Sequence, residues 1–358
     1  MTIKYDPKAL TKYATALLQA VGYDNEKAQI TADCLINADM SGHTTHGLNL
    51  LPPYLNEAAE GKTKTTGNPE IIVDAAALSV WDGHYLPGLW LTFKAVDNAI
   101  ARARNHGIGI LSIRRCSHIG CLAVFLEAAT SQGMMIILTC SDPSVESVAP
   151  YGGTKAIYTP NPIAFGIPAK DQPILIDISA SITTNGMSAR LAQKNETFSE
   201  NCLLTSDGTP TSDPKAMTPT AFGKTGEPSG TILPIGGVFH GHKGFGLGLA
   251  IEALTQGLSG LGRADKIDQW GSGVFIQVIN TESFAGKTTF EEITNYLAEE
   301  CRKSPAAPWS KGVRIPGDRA RTIRKEALNH GLELSPGIIK NLSPWATKYS
   351  IKEPSQLS

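Results

Sequence analysis

The chain has 358 residues, enough for two domains of ordinary size or for one domain with a large insertion, and enough to bury a substantial core. Its 32 Lys and Arg against 33 Asp and Glu leave a formal charge of −1, which argues against nucleic acid or an anionic membrane as principal partner and favours a small-molecule ligand. No apolar run approaches a membrane span. The polar opening Met1 to Pro7 does not read as a signal peptide, and the scattered cysteines Cys34, Cys116, Cys121, Cys140, Cys202 and Cys301 include no C-x-x-C pair. Both features suit reduced thiols in a cytoplasmic protein.

Asp6 and Pro7 form a cap and first helical residue, and Leu10, Tyr13, Ala14, Leu17, Leu18 and Val21 follow at helical spacing until Gly22 stops the pattern. Asp24 or Asn25 caps a second helix to about Met40, so the opening 75 residues read as helical. From Ala76 the pattern predicts strands at 78–81, 108–113, 134–139, 174–176 and 274–279, with a clear helix over Leu91 to His106. This alternation indicates an α/β or α+β sheet domain. Asn201 to Gly237, rich in Gly, Pro, Ser and Thr, reads as a long surface or cofactor-covering loop with turns at 206–208 and 212–214. Helices are expected again over 290–301 and 320–331, followed by a polar tail.

Three stretches carry candidate chemistry. In Gly42 to Pro52, His43 and His46 stand where a helix gives way to a glycine-bounded turn, and an imidazole there can exchange protons near neutral pH. The alternative for His46 is a helix-terminal residue satisfied by backbone. Ser117-His118-Ile119-Gly120 follows an apolar strand, a usual place for presented chemistry, although His118 also fits a polar strand end. Gly241-His242-Lys243-Gly244 opens an apolar helical stretch with a cation and free amides, the composition of an anion cradle, or else of turns and close packing. Asp177, ending the strand Ile174-Leu-Ile, either orients an imidazole, binds a ribose hydroxyl, or caps the next turn. No H-E-x-x-H or tight Cys/His cluster argues for a metal. The chain lacks G-x-G-x-x-G, G-x-S-x-G and a Walker sequence, so neither a conventional dinucleotide fold, a serine hydrolase nor a P-loop enzyme is supported.

Taken together, His43 to Tyr54, Ser117 to Gly120, Tyr151-Gly-Gly153, Asn161 to Pro168, Ile174 to Ser181, Gly208 to Pro214, Leu233 to Gly237, His242 to Gly246, Leu258-Ser-Gly260 and Val313 to Gly317 resemble the malate/L-lactate dehydrogenase family of the non-Rossmann type, which includes sulfolactate and ureidoglycolate dehydrogenases and ketimine reductases. The likeness covers nearly the whole chain. It implies an α/β (α+β) fold with a non-Rossmann NAD(P)-binding sheet domain at 76–288, and a helical domain made from both chain ends, 1–75 and 289–358. It also implies NADPH or NADH as cofactor, a homodimer, and an active site near the dimer interface.

By the same resemblance His46 matches the proton-donating histidine, and His118 a second acid or base. Asp177, Ile178 and Ser179 match the cofactor strand end, and Ser141, Asn161, His242, Lys243, Gly317, Asp318 and Arg319 match contacts to nicotinamide, ribose or phosphate. Two departures bear on substrate and cofactor. Leu50 stands where many members carry an arginine that grips a substrate carboxylate, so either Arg114 or Arg115 takes that charge or the substrate is bulkier and more apolar. Asn185 replaces a residue that is often basic, leaving NADH and NADPH both open. The expected reaction is hydride transfer between nicotinamide and the C=O of a 2-oxo acid or 2-hydroxy acid. The alternatives are reduction of a cyclic or N-substituted ketimine and a catalytically silent cofactor-binding homologue.

Overall fold

The computed structural model describes residues 3–217 and 229–357. β1 (Ile3–Tyr5) leads into α1 (Pro7–Ala20) and α2 (Asn25–Met40), capped by the side chains of Asp6 and Asp24. Each carboxylate accepts from a first-turn backbone N–H, where the helix dipole favours negative charge. Leu10, Tyr13, Ala14, Leu17 and Leu18 are buried, as their spacing predicts. α3 (Leu51–Ala59) completes this layer.

A seven-stranded sheet follows, made of β2 (Glu70–Asp74), β3 (Leu78–Asp82), β4 (Ile108–Cys116), β5 (Met134–Ser141), β6 (Pro162–Ile167), β7 (Ile174–Ser179) and a late strand, Ser272–Asn280. The late strand lies between β4 and β5, antiparallel to both. Only the β3–β4 pair is parallel, joined by the crossover helix α4 (Gly88–His106). Leu91, Ala95, Val96, Ala99, Ile100 and Ala103 form its buried stripe, and small residues let it approach β4 closely. A sheet with one parallel pair has no room for the repeated βαβ units that present a G-x-G-x-x-G turn, which accounts for the missing fingerprint.

The short α5 (Glu127–Thr130) lies between β4 and β5; after β7 come α6 (Asn185–Lys194), the two-residue strands β8 (Leu203–Leu204), β9 (Pro210–Thr211) and β10 (Thr231–Ile232), and helices α7 (Gly237–His240) and α8 (His242–Glu252). The late sheet strand is then β11. Beyond it lie α9 (Lys287–Lys303), α10 (Asp318–His330), β12 (Leu332–Leu334) and α11 (Pro336–Lys348). β12 pairs with β1, α10 packs on α2 and α11 on α3, so helices from both ends of the chain share one layer. A single buried cluster runs from Leu17, Leu35 and Leu55 of that layer to Leu111, Ile136 and Ile276 of the sheet.

Several expectations are corrected. The first 75 residues are not helical throughout: Glu70–Asp74 is an edge strand, and all five of its residues are exposed, so no burial alternation marks it. The expected covering loop over 201–237 contains the small sheet β10-β8-β9 on its own buried cluster of Val148, Tyr158, Cys202, Leu203 and Ile232, while its stretch 218–228 lies outside the described residues. The expected polar tail holds α11, which buries Ile338, Leu342 and Ala346 at successive helical turns. The six cysteines are unpaired.

α4 and β4 meet at Gly109, where a Cβ would stand 2.0 Å from the Ala99 carbonyl oxygen. Gly109→Ala is therefore expected to lower stability by about 1–3 kcal/mol through overpacking, read as a shifted urea midpoint at unchanged slope.

Candidate active site

The His46 turn is built on a buried carboxyl. Asp39, in the last turn of α2, accepts the Leu48 N–H at 2.7 Å, and a Cβ on Gly47 would stand 2.1 Å from the Asp39 carboxyl carbon. Only glycine lets the chain cross that carboxyl. Burial pushes the Asp39 pKa up to about 7 against the opposing pull of the Leu48 N–H. The turn closes through His46 N–H to the His43 carbonyl, 2.8 Å, and enters α3 through the tight turn Leu48–Leu50. The His46 ring is half-buried, with Nδ1 2.9 Å from the Thr45 hydroxyl. Burial lowers its pKa, opposed by the charge of Asp177 and reinforced by His43.

His118 follows the end of β4 and faces His46, the two rings stacked with centroids 6.3 Å apart. It also stacks on Trp270, at 4.8 Å. The Gly120 N–H donates to His118 Nδ1 at 3.3 Å, and the buried Tyr54 hydroxyl lies 2.8 Å from the same nitrogen. A backbone N–H can only donate, so Nδ1 is the acceptor and the neutral ring carries its proton on Nε2. Burial, with His46 adding to it, lowers the His118 pKa to about 3. His118 is thus a neutral imidazole across the physiological range.

Asp177 lies within β7, its carboxylate accepting from the Ala123 N–H at 2.9 Å and the Cys121 thiol at 3.5 Å. Its oxygen, a His43 ring nitrogen and Cys121 Sγ fall within 4.8 Å of one another. Both ends of β7 are held by later segments. Leu175 N–H donates to the Pro316 carbonyl beside Gly317, and the Ala180 carbonyl past the strand accepts from Ile235, next to the start of α8. A Cβ on Gly244 would lie 2.6 Å from that same Ala180 oxygen, so α8 presses its N-terminal turn onto the strand exit. There His242 and Lys243 are exposed, as is Ile178 of β7. The Ser179 hydroxyl is turned back onto the Ser181 carbonyl.

Ser141 and Asn161 come together in a buried network. Ser141 Oγ donates to Glu252 at 2.6 Å and accepts from Gln256 at 3.0 Å, while Asn161 Nδ2 donates to Glu252 at 2.9 Å and to the Gly248 carbonyl at 3.2 Å. Arg263 ion-pairs with Glu252 at 2.9 Å. Asn161 is fully buried, yet its Oδ1 has no hydrogen-bond partner.

Other expected residues lie elsewhere or are occupied. Leu50 packs against the main core. Arg114 and Arg115 both bind the buried Asp82, with Nε to carboxylate distances of 2.8 Å each. Burial works to raise the Asp82 pKa, but Arg115, the His84 N–H and Arg114 hold it down to about 2. Among the described residues neither arginine hydrogen-bonds or ion-pairs with His46 or His118. Asp318 is likewise engaged, with Arg302 at 3.0 Å and Arg321 at 2.6 Å, while Arg319 is exposed. Sequence reasoning missed Asp39, Tyr54, Trp270, Glu252, Gln256 and Arg263; an Asp eight residues before a loop glycine, or a polar pair inside an apolar helix, was the available signal.

The match to known proteins is extensive. Residues 5–343 fit the family model described as malate/L-lactate dehydrogenase. The chain belongs to that family. It is 30% identical over 344 residues to the malate/(S)-sulfolactate dehydrogenase of Methanothermus fervidus, covering 94% of this chain and 95% of that one. In fold it is similar to the malate dehydrogenase of Entamoeba histolytica, with a TM-score of 0.92 at 24% identity over 99% of this chain and 100% of the other. It is also similar to the delta1-piperideine-2-carboxylate reductase of Pseudomonas syringae, with a TM-score of 0.80 at 25% identity over 97% and 100%. Family membership makes the protein an oxidoreductase that uses a nicotinamide cofactor. Among the described residues no helix is long and apolar enough to cross a membrane.

The neutral state of His118 carries a stability consequence. An unfolded histidine takes up a proton near pH 6.5, which the folded one refuses until about 3, so this contribution is full above 6.5 and lost as pH falls toward 3. Asp39, raised to about 7, contributes with the opposite sign over the same range, so the His118 contribution is read as a difference: the urea midpoint of wild type relative to that of His118→Gln is expected to fall from pH 7 to pH 5.

Proposed function

We propose that this protein transfers hydride between nicotinamide and the C=O carbon of a 2-oxo acid, with His46 giving the proton to the carbonyl oxygen in reduction and taking it back in oxidation. The observation that carries this reading is the pairing of His46 with a second imidazole, His118, on a turn held by Asp39 and within the field of Asp177. The two rings divide the work. His46, whose lowered pKa still responds to Asp177, exchanges the proton, whereas His118 offers a fixed Nε2–H to polarise the carbonyl.

The residues present fit a nicotinamide cofactor. The partnerless Asn161 Oδ1 suits the amide N–H of a carboxamide, and Ser141 fixes the network behind it through Glu252. The end of β7 at the sheet edge, with Asp177, Ile178 and Ser179, would flank the ribose. His242 and Lys243, at the positive end of α8, and Gly317 with Arg319, at the start of α10, would meet phosphate. Asp318, already held by two arginines, shapes that turn instead. When bound, the cofactor supplies the hydride, and NADH and NADPH are both to be assayed.

Reduction of a cyclic imine is the second reading, favoured by Leu50 and by the likeness to the piperideine-carboxylate reductase. A homodimer is supported by the exposed Ile293, Tyr296 and Leu297 on α9, and a cytoplasmic setting by the free cysteines.

Absorbance at 340 nm, with pyruvate, oxaloacetate, phenylpyruvate and a cyclic ketimine acid, with and without methylamine, separates the readings. Turnover of a 2-oxo acid alone is expected; turnover only of preformed imine, or only with amine, would move the assignment to C=N. His46→Ala should lower kcat by about 10²–10⁴-fold. Oxidation of the 2-hydroxy acid needs neutral His46, so its kcat/KM should rise with pH through an apparent pKa below 6.5 and then level.

A further inference from the structure

We propose that Arg190 grips the substrate carboxylate, supplying from α6 the charge that Leu50 cannot. This rests on the 2-oxo acid reading. α6 begins at Thr184, whose hydroxyl caps the Met187 N–H at 3.2 Å, and it lies over the His46 turn. A Cβ on Gly186 would sit 3.7 Å from Thr45 Cβ. Arg190, four residues on and so on the same helical face, donates Nη1–H to the Thr44 hydroxyl at 3.0 Å. Thr45 in turn holds His46 Nδ1, so three consecutive residues tie this guanidinium to the reacting imidazole.

Arg190 is partly buried, and among the described residues no carboxylate lies within ion-pair distance of it. The comparison within the chain is direct: Arg102, Arg114, Arg115, Arg263, Arg321 and Arg324, which are also partly buried, each have an acidic partner. A guanidinium carries five N–H donors, of which one is used among the described residues. A half-desolvated cation with open, forked donors, anchored two residues along the turn from a proton-exchanging histidine, is matched by a planar anion, and a carboxylate accepts such a fork bidentately. The ligand class is therefore an acid anion, with its carboxylate on the α6 side of His46 and the carbonyl between the two imidazoles.

The test compares wild type with Arg190→Met and Arg190→Lys, using pyruvate and its uncharged ethyl ester as substrates and oxamate as an unreactive acid in calorimetry with cofactor present. Arg190→Met is expected to raise KM for pyruvate and weaken oxamate about 10–100-fold, with Arg190→Lys intermediate, while kcat/KM for ethyl pyruvate and KM for NADH and NADPH stay unchanged. Equal losses for acid and ester, a raised KM for either cofactor, or unaltered oxamate binding would overturn the assignment. Should the wild type reduce no 2-oxo acid, the function reading fails while oxamate still reads Arg190: lost affinity in the variant supports the anion site, and equal affinity, or none in wild type, overturns it.

Discussion

Everything at the candidate site depends on one long-range pairing, the insertion of β11 between β4 and β5. Ser272 registers with Cys116 and Gly273 with Ser141, so the start of β11 meets the exits of two strands that were made more than a hundred residues earlier. His118 emerges just beyond β4, Ser141 ends β5, and Trp270 precedes β11. The antiparallel register brings those three to one end of the sheet. β6 and β7 extend it, with Ser179 opposite Pro162, so that Asn161 and the Ser179 exit share that edge. A mostly antiparallel sheet thus assembles its polar groups at one rim by alternating direction, where a parallel sheet would do so by repeated crossovers.

The electrostatics of the rim are divided by burial. Next to Trp270 and under the Gly120 N–H, His118 is kept neutral with a defined tautomer, while His46 keeps contact with the charge of Asp177. Most sheltered cations are neutralised in place: Arg114 and Arg115 converge on Asp82, and Arg263 closes the network around Glu252. Such pairs hold segments in position without offering a charge to a ligand. Against that background, a sheltered guanidinium without a carboxylate is an exception with chemical meaning.

Local patterns made much of this legible in advance. The caps and stops of α1 and α2 are written within a few residues, and β3, β4, β5 and β11 are apolar runs, so their placement needs no knowledge of the partner. β6 escaped because Pro162 and Gly166 break its apolar run, and α11 because Pro336, Gly337 and Pro344 punctuate a helix whose buried face only α3 and its neighbours reveal. At the site, His46 and His118 stand out through their glycines. Arg190 does not, since an arginine on a short helix is ordinary until the fold lays that helix across a loop 146 residues away. The engagement of Arg114 and Arg115 was hidden for the same reason: Asp82, their partner from β3, was invisible in the order of the chain.

The crossing of Gly47 over the Asp39 carboxyl also links two positions in evolution. Any side chain at 47 would occupy the volume of the carboxyl, and a shorter residue at 39 would free that volume while leaving the Leu48 N–H without its acceptor. Neither position can drift alone. Among relatives the pair should change together or not at all, and substitutions made at both should combine non-additively, because each alters the one space that the other fills.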